Sequence, residues 1–594
     1  MSLKRLSIVV SVLMIASLIL SACGATPEPQ VVEKVVEKVV TQVVEQTVKE
    51  TVIVAGTSQV VEKVVTPTPE PMKPKGTVVV GVWQEPKGLI WNIFYEAHTN
   101  DILDSMYYAP VALDANDELI PELLTEVPTV DNGGVSADGK TITLKFRDGV
   151  KWHDGQPVTS EDLKFTWQFV VDPATLSQTS AGWNSIDSVD TPDPLTAVIH
   201  LKEAYVPFVA AALAFPVLPK HALEGVKDPG NSDFARKPIG NGAFIFQEWV
   251  PGDHITVVAN PNALEMPKIE KIIFKFVPDM NTLIALLRTG DVDVAYDMRE
   301  PQIAEVLKMK GVQPFVVPGV GIERYYFNLR NPKDISQPHP IFADINVRKA
   351  IAMSMDRFTA VSKILTGFGA VAVTELDNHP WFNEALVPVP YDPEGAKAIL
   401  AEAGWKDSDG DGVLDKDGVK LSFSHSTTAG NQVRENLQVF FQQNLKDIGV
   451  DMQILNYPAA TLFGGCADSG VFGTGNFDML GFTNKPASID LAQEWSDFFL
   501  CSAIKDCATN PAGTNAWGYC NETTDAALKC TVNELDPAKR LACIKDAQKL
   551  IYDDYVALYV YDRLDVYAAS EKIGGFNPTV FGSWTWNFED WFLK

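Results

Sequence analysis

The sequence predicts an α/β protein built from two or three domains. At 594 residues, the chain is longer than a single hydrophobic core usually serves. From residue 279 onward, segments with helical periodicity alternate with short strand-like runs, a pattern typical of layered α/β structures. Hydrophobic residues make up 46% of the chain and charged residues 21%, which excludes general disorder.

The N-terminus has the features of an exported protein. Lys4 and Arg5 precede an apolar run from Leu6 to Leu20, which is too short to span a membrane comfortably and is typical of a signal peptide. The tetrapeptide LSAC, which ends at Cys23, resembles a bacterial lipobox. We expect residues 1–22 to be removed and Cys23 to carry lipid, with an uncleaved anchor as the alternative. Either way, the protein is expected outside the cytoplasm, periplasmic or at the cell surface, and anchored to a membrane.

Residues 23–75 predict a tether between this anchor and the folded body. The repeat VVEKVVEKVV is compatible with a helical stripe, but valine is a mediocre helix former and no heptad continues. We expect a flexible or partly extended stalk that ends in a proline-rich piece. The formal net charge of −27 disfavours nucleic acid as a partner and helps to keep an exported protein soluble.

The most specific local pattern lies between residues 141 and 171. Residues 141–147 alternate between apolar and polar side chains, which predicts a half-buried strand. Thr159 and Asp162 have the spacing of a capping box, and Val158 and Leu163 have that of a hydrophobic staple. The stretch therefore predicts a strand, a hairpin and a helix in succession.

The letters of this stretch, LKFRDGVKWHDGQPVTSEDLKFTW, resemble the signature of the family 5 extracellular solute-binding proteins. These are the receptors of bacterial ABC importers for peptides, nickel and oligosaccharides. Four later segments are similar to the same family, namely 237–260, 279–298, 346–357 and 391–405. The resemblance implies a two-lobed periplasmic-binding-protein-like fold with an extra domain and a discontinuous first lobe.

The resemblance also implies the domain boundaries. Lobe I is expected to comprise residues 76–120, 236–318 and 556–594. The extra domain is expected to cover 121–235, and lobe II to cover 319–555. Within the second family-like segment, we expect Gly240 and Gly242 to permit a tight backbone turn before a β-hairpin.

The cysteines other than Cys23 predict disulfides. Six remain, and an even set in an exported protein is typical of a disulfide framework, although 15 connectivities are open. Cys530 and Cys543 flank a predicted helical turn and form a candidate local pair. Cys501 and Cys520 resemble a bridge of dipeptide-binding relatives, which leaves Cys466 with Cys507.

Residues 407–418, DSDGDGVLDKDG, resemble a calcium-binding loop. Asp407, Asp409 and Asp411 occupy the first three ligand positions. The twelfth position, normally glutamate, is Gly418, and Asp417 lies one place early. We expect that no cofactor is required. Calcium bound by these four aspartates is a hypothesis, in which the ion stabilises the structure of the loop.

The family resemblance places ligand contacts in the cleft between the lobes. The predicted ligand-binding residues are Trp83, Gln84, Trp183, Tyr325, Phe482, Asn484, Lys485 and Asp490. In peptide-binding relatives, an aspartate shortly after a Gly-Trp pair binds the peptide ammonium group. Asn484 or Lys485 falls near that position here, and a lysine repels an ammonium group. This departure leaves an oligosaccharide or another small polar solute open.

The leading hypothesis is therefore a monomeric receptor that captures a small solute or oligopeptide and delivers it to ABC permease subunits. No G-x-S-x-G, H-E-x-x-H or P-loop pattern is present in the sequence, which argues against an enzyme. The alternatives are a surface-anchored hydrolase of peptide or polysaccharide, a receptor for oligosaccharide rather than peptide, and a purely structural lipoprotein.

Overall fold

The computed structural model of this protein describes residues 46–54, 57–65, 73–180, 182–298, 300–484, 488–582 and 584–594. The predicted signal peptide and Cys23 lie outside these ranges. The chain divides into two compact units, residues 1–72 and residues 73–594. In the first unit, Gln46–Val54 pairs antiparallel with Thr57–Val65, so this part of the predicted flexible or partly extended tether forms two extended strands. The many valines explain the pairing, because β-branched residues favour strands.

The second unit is organised around a ten-stranded mixed sheet. Its strands, in chain order, are β1 (Thr77–Val82), β2 (Phe244–Val250), β3 (His254–Ala259), β4 (Lys271–Phe276), β5 (Val294–Ala295), β6 (Val312–Phe327), β7 (Ser422–Ser426), β8 (Asp451–Ile454), β9 (Met479–Asn484) and β10 (Ala557–Ser570). Their spatial order is β8-β7-β9-β6-β10-β5-β1-β4-β3-β2. Strand β1 pairs in parallel with β4 and β5, while β6 and β10 pair antiparallel.

The second unit also contains helices, as the predicted α/β class requires. They are α1 (Ala97–Leu103), α2 (Ser160–Val171), α3 (Phe208–Ala211), α4 (Lys220–Leu223), α5 (Met280–Thr289), α6 (Glu300–Val306), α7 (Ile345–Ser354), α8 (Arg357–Lys363), α9 (Pro393–Glu402), α10 (Gln432–Lys446), α11 (Ala459–Leu462), α12 (Val471–Thr474), α13 (Ala492–Phe499), α14 (Glu522–Asn533) and α15 (Pro537–Asp553). Among the described residues, none of these helices is long and apolar enough to cross a membrane.

Smaller sheets lie outside the main one. A three-stranded sheet contains Thr141–Lys145, Thr196–Leu201 and Ile186–Asp193 in that order. Two-stranded pairs are Val111–Leu113 with Leu119–Pro121, Arg330–Asn331 with Asp334–Pro338, Asp415–Lys416 with Val419–Lys420, and Ile573–Gly574 with Phe592–Leu593.

The predicted strand–hairpin–helix unit forms as expected. Thr159 begins α2 with a reciprocal capping box, in which the Asp162 carboxylate accepts a hydrogen bond from the Thr159 N–H at 2.8 Å. The other Asp162 oxygen accepts from the Lys220 N–H at 2.9 Å. The Thr166 hydroxyl accepts from the Leu218 N–H at 2.7 Å. The unit is therefore tied both to itself and to the segment that follows its sheet.

The two glycines of the second family-like segment serve a different purpose from the predicted turn. Neither Gly240 nor Gly242 has a positive φ. A Cβ on Gly240 would lie 2.0 Å from the Met106 carbonyl oxygen, and one on Gly242 would lie 2.5 Å from the Met106 carbonyl carbon. The glycines are thus required because two backbone segments touch. The hairpin predicted after them is present as β2 and β3.

Strands β6 and β10 run through all the hydrophobic cores of the second unit. The first half of β6 and the second half of β10 pack with residues of the first half of the chain. Phe315 and Tyr567 contact one core there, and Val312 contacts another. Further along β6, Tyr325 and Tyr326 enter two separate cores built from residues 322–561. Successive side chains enter different cores because they point to opposite faces of a strand.

The six cysteines described in the second unit form three disulfides. Cys530 is bonded to Cys543, Cys501 to Cys520, and Cys466 to Cys507. All three bridges lie between residues 466 and 543, in the part of the chain that surrounds β9 and α13–α15. Each bridge reduces the conformational freedom of the unfolded chain in this region.

The point where β6 and β10 change register gives a test of this architecture. The pairing passes from Pro318 opposite Leu564 to Ile322 opposite Asp562, and Gly319 lies in the irregular interval. A Cβ on Gly319 would lie 2.5 Å from the Arg563 carbonyl oxygen. We expect Gly319→Ala to lower the free energy of unfolding by about 1–3 kcal/mol, because the obstacle is backbone.

Chemical denaturation measures this loss. Gly465→Ala is the matched control, since a Cβ at Gly465 meets no atom within 4 Å and its φ is not positive. Equal denaturation midpoints for the two variants would show that the strand crossing tolerates a side chain at residue 319.

Candidate functional site

A cavity of about 270 Å³ lies between segments that are far apart in the chain. One side is formed by residues within 91–122, 210–216 and 580–589, and the other by Val320, Ser488 and Ile489. The Ser488 hydroxyl donates to the Ala210 carbonyl oxygen at 3.1 Å, so the two sides touch. The cavity therefore lies between the first core and the segment that follows β9, where a movement of one side would open it.

Aromatic rings form part of its wall. Trp91 stacks on Phe215 with a centroid distance of 4.6 Å and an interplanar angle of 20°. The Trp91 indole N–H donates to the Pro216 carbonyl oxygen at 3.1 Å, which fixes the orientation of the ring. Trp586 also lines the cavity, and its indole N–H donates to the Asn577 carbonyl oxygen at 2.6 Å. The cavity thus offers oriented apolar faces.

Three carboxyl groups line the same cavity: Asp104, Glu122 and Glu589. Burial raises the pKa of Asp104 to about 6 and that of Glu589 to about 7. Burial raises the pKa of Glu122 well above its usual range, and repulsion from Glu589 adds to the effect. The cavity is therefore an acidic site in which the charged forms of these groups are poorly stabilised.

A second cavity of about 490 Å³ lies at the start of α10. Arg434 forms a two-point ion pair with Glu323 there, at 2.8 Å from Nε and 2.9 Å from Nη2. The same guanidinium donates to the Thr428 hydroxyl at 2.8 Å and to the Thr483 hydroxyl at 3.1 Å. Arg563 also lines this cavity, which gives it a basic side.

The segment after Gly481 reaches both cavities. Thr483 lines the second one, and Ser488 and Ile489 line the first. This is the segment in which the sequence predicted the ligand contacts. The side chains that line the cavities are neighbours of the predicted residues: of the predicted ligand-binding residues that the structure describes, none lines either cavity.

The predicted aromatic residues are instead packed. Trp183 is fully buried and contacts Phe208, and Tyr325 is buried against His425. Phe482 is buried beside Tyr326. Because β6 and β9 are paired, Tyr325 lies opposite Gly481 and therefore next to Phe482 in the sheet.

The remaining predicted residues have varied surroundings. Trp83 contacts the edge of His98 at a centroid distance of 5.0 Å, and Gln84 is half-buried. Asn484 ends β9, and Lys485 lies outside the described residues. Asp490 is buried and paired with Arg540 at 2.8 Å. Burial raises the pKa of Asp490, although Arg540 opposes that shift. Asp490 thus already has a cationic partner.

The aspartate-rich loop brings together three of its four predicted ligands. Carboxylate oxygens of Asp407, Asp409 and Asp411 lie within 4.8 Å of one another, and Asp417 is not in this group. The Lys420 ammonium group lies 2.8 Å from Asp409 and 3.0 Å from Asp411. The donor set therefore matches a calcium loop only in part, since the fourth ligand is missing and a lysine already neutralises two carboxylates.

The acidic cavity was not identified from the sequence. Its carboxyl groups come from positions 104, 122 and 589, and the chain contains 76 aspartates and glutamates. Nothing in the spacing of these residues distinguishes them from surface acids. Strand β10 pairs with β5, and β5 pairs with β1. This arrangement brings the C-terminal segment back to the start of the folded chain.

Comparisons with known proteins agree with this architecture. The pattern of the bacterial extracellular solute-binding proteins, family 5, matches residues 118–499. The oligopeptide-binding protein AppA of Bacillus subtilis is 31% identical over 396 residues, which is 65% of this chain and 70% of the relative. The glutathione-binding protein GsiB of Pectobacterium atrosepticum is 27% identical over 82% of this chain and 88% of its own length.

Solved structures show the same fold. The structure of Bacillus subtilis AppA in complex with a nonapeptide superposes with a TM-score of 0.70 at 26% identity, covering 88% of this chain and 100% of that one. NikZ of Campylobacter jejuni, solved with Ni(L-His), superposes with a TM-score of 0.73 at 24% identity over the same shares of the two chains. The two-lobed α/β fold predicted from the sequence is confirmed, and the chain belongs to the family 5 bacterial extracellular solute-binding proteins.

Proposed function

We propose that this protein is the substrate-binding component of an ABC importer. It captures a peptide or another small polar solute in the cleft between its lobes and delivers that solute to the permease subunits. The observation that carries this proposal is the cavity of about 270 Å³, whose walls come from both sides of the β6–β10 crossing. A site between two bodies joined by two strands suits capture by closure.

Closure follows from the placement of the site. Ligand contacts to both sides stabilise the closed form, by no more than the difference in ligand affinity between the closed and open forms. The direct contact between Ser488 and Ala210 supports the interpretation that this conformation is a closed one. The permease then recognises the closed shape, and no catalytic step is required of the receptor.

The relatives favour a peptide as the solute. The curated relatives include proteins named for binding oligopeptides and glutathione. Lys485 remains a departure from the acidic position of the peptide-binding relatives, and an oligosaccharide stays the alternative ligand. We further propose that the receptor acts as a monomer, exported and held at a membrane through lipid on Cys23.

Thermal shift with defined ligands tests this function. A panel of di- to pentapeptides and oligosaccharides is added to the purified receptor. At least one ligand is expected to raise the Tm by several degrees in a saturable manner, because a ligand that binds only the folded state stabilises it by mass action. No shift with either ligand class would contradict the proposal.

A variant that fills the cavity locates the binding site. Ala214 lines the cavity and is exposed. Ala214→Trp is therefore expected to abolish the ligand-induced rise in Tm, while the Tm of the free protein stays nearly unchanged. Ala174→Trp places the same side chain at an exposed position away from the cavity and serves as the control. An unchanged shift in Ala214→Trp would place the ligand elsewhere.

Calcium remains a proposal for the aspartate-rich loop. Binding there requires Lys420 to leave Asp409 and Asp411, so Lys420→Ala is expected to bind calcium about tenfold more tightly than the native protein, a difference of about 1.4 kcal/mol. Isothermal titration measures both affinities, with Lys529→Ala as a control from another exposed ion pair. No saturable heat in any of the three proteins at millimolar calcium would exclude the site.

A further inference from the structure

Three carboxyl groups line the acidic cavity: Glu122 and Glu589 are half-buried, and Asp104 is exposed. Among the described residues, Asp104, Glu122 and Glu589 form no ion pair with a lysine or arginine, whereas surface acids elsewhere commonly do. Asp104 accepts one hydrogen bond from the Thr585 hydroxyl at 2.6 Å. Glu122 accepts one from the Ala109 N–H at 2.5 Å. Carboxylates that line one cavity repel one another when they are ionised, and a bound cation relieves that repulsion.

The charged groups around them do not supply that cation. Glu122 faces Glu589 and Asp104, both of which repel it, and its nearest cation is Arg147. The Arg147 guanidinium donates to the backbone carbonyls of Glu122 and Pro121, at 2.7 and 3.1 Å, and not to a carboxylate.

The surroundings of Glu589 are also acidic. Glu265 and Asp590 both repel it. The cation near this group, Lys268, is paired with Asp590 at 2.7 Å. The cavity as a whole therefore carries an excess of negative charge whenever its carboxyl groups ionise.

A second, independent feature indicates a ligand at this place. Tyr107 lines the cavity and is 7% exposed, yet its buried hydroxyl has no hydrogen bond partner among the described residues. The Asn100 side-chain oxygen, which also lines the cavity, is buried and unpaired in the same way. Buried polar atoms are normally paired, so these two are available to a bound molecule.

We propose that this cavity binds a positively charged group of the transported ligand, an ammonium or guanidinium group. The proposal rests on the solute-receptor function and specifies the ligand class of the same site. The cation relieves the repulsion among Asp104, Glu122 and Glu589, and its N–H groups donate to the carboxylates and to the Asn100 oxygen. The rings of Trp91 and Trp586 in the wall suit the same cation.

The sign of the pH dependence follows from the raised pKa values. The pKa of Asp104 rises from 3.8 to about 6 and that of Glu589 from 4.5 to about 7, so the folded protein favours their protonated forms. The free protein loses stability as pH rises through this interval, because ionisation is easier in the unfolded chain. A cation requires the ionised carboxylates, so its affinity rises over the same interval.

Calorimetric titration at pH 5.5 and pH 8 with two matched peptide pairs tests the proposal. The first pair is Ala-Ala-Ala and its N-acetylated form, which differ in the terminal ammonium group. The second pair is Ala-Lys-Ala and Ala-norleucine-Ala, which differ in a side-chain charge. In at least one pair, the cationic member is expected to bind at least about tenfold more tightly at pH 8, with a smaller ratio at pH 5.5.

Charge-neutral variants connect this preference to the cavity. Glu122→Gln and Glu589→Gln are each expected to reduce the cationic peptide's affinity at least about tenfold and to raise the Tm of the free protein at pH 8, because the repulsion among the carboxylates is reduced. If the carboxylate had only a structural role, its replacement would lower the Tm. Glu118→Gln changes an exposed carboxylate just before the strand Leu119–Pro121 and is expected to alter neither quantity.

The outcomes separate this inference from the receptor function. Equal affinities within both peptide pairs would overturn the cation site and leave the receptor function intact. Saturable binding of an oligosaccharide with no binding of any of the four peptides would have the same meaning. No binding by any ligand of either class would overturn both.

Discussion

The antiparallel pairing of β6 with β10 is the constraint on which the rest of the structure depends. These two strands are the longest of the main sheet, and they pass from the core of the first lobe into the two cores beyond it. Their register changes at Gly319, where the backbones come too close for a side chain. Because the cores on both sides of the crossing are built on the same pair of strands, the pairing fixes where the cavity between them lies.

The acidic cavity combines groups that reduce the stability of the free protein when they ionise. Asp104, Glu122 and Glu589 line this one cavity with no lysine or arginine paired to them among the described residues. Elsewhere in the same unit, Arg434 is paired with Glu323 and Arg540 with Asp490. Three neighbouring carboxyl groups that lack such a pair are therefore candidates for binding a ligand cation.

Local features of the fold could be predicted because the interactions that create them span only a few residues. The capping box of Thr159 and Asp162 and the alternation of residues 141–145 are complete within the segment itself. The glycines at 240 and 242 show where such reasoning stops: their presence was noted, but its cause is the backbone of Met106, which is distant in the chain. The hairpin in the valine-rich tether shows the same limit, because valine's strand preference outweighed the composition typical of a flexible linker.

The sequence by itself determined the family, the α/β class, the caps and most of the strands, because these depend on motifs and on side-chain periodicity. It also predicted ligand contacts in the segment from residue 481 to 490, where the side chains that line the cavities are Thr483, Ser488 and Ile489. Only the tertiary structure decided which acids line the cavity. Carboxyl groups from residues 104, 122 and 589 converge because β10 brings the C-terminal segment back to the first lobe, and sequence spacing carries no trace of contacts made across such distances.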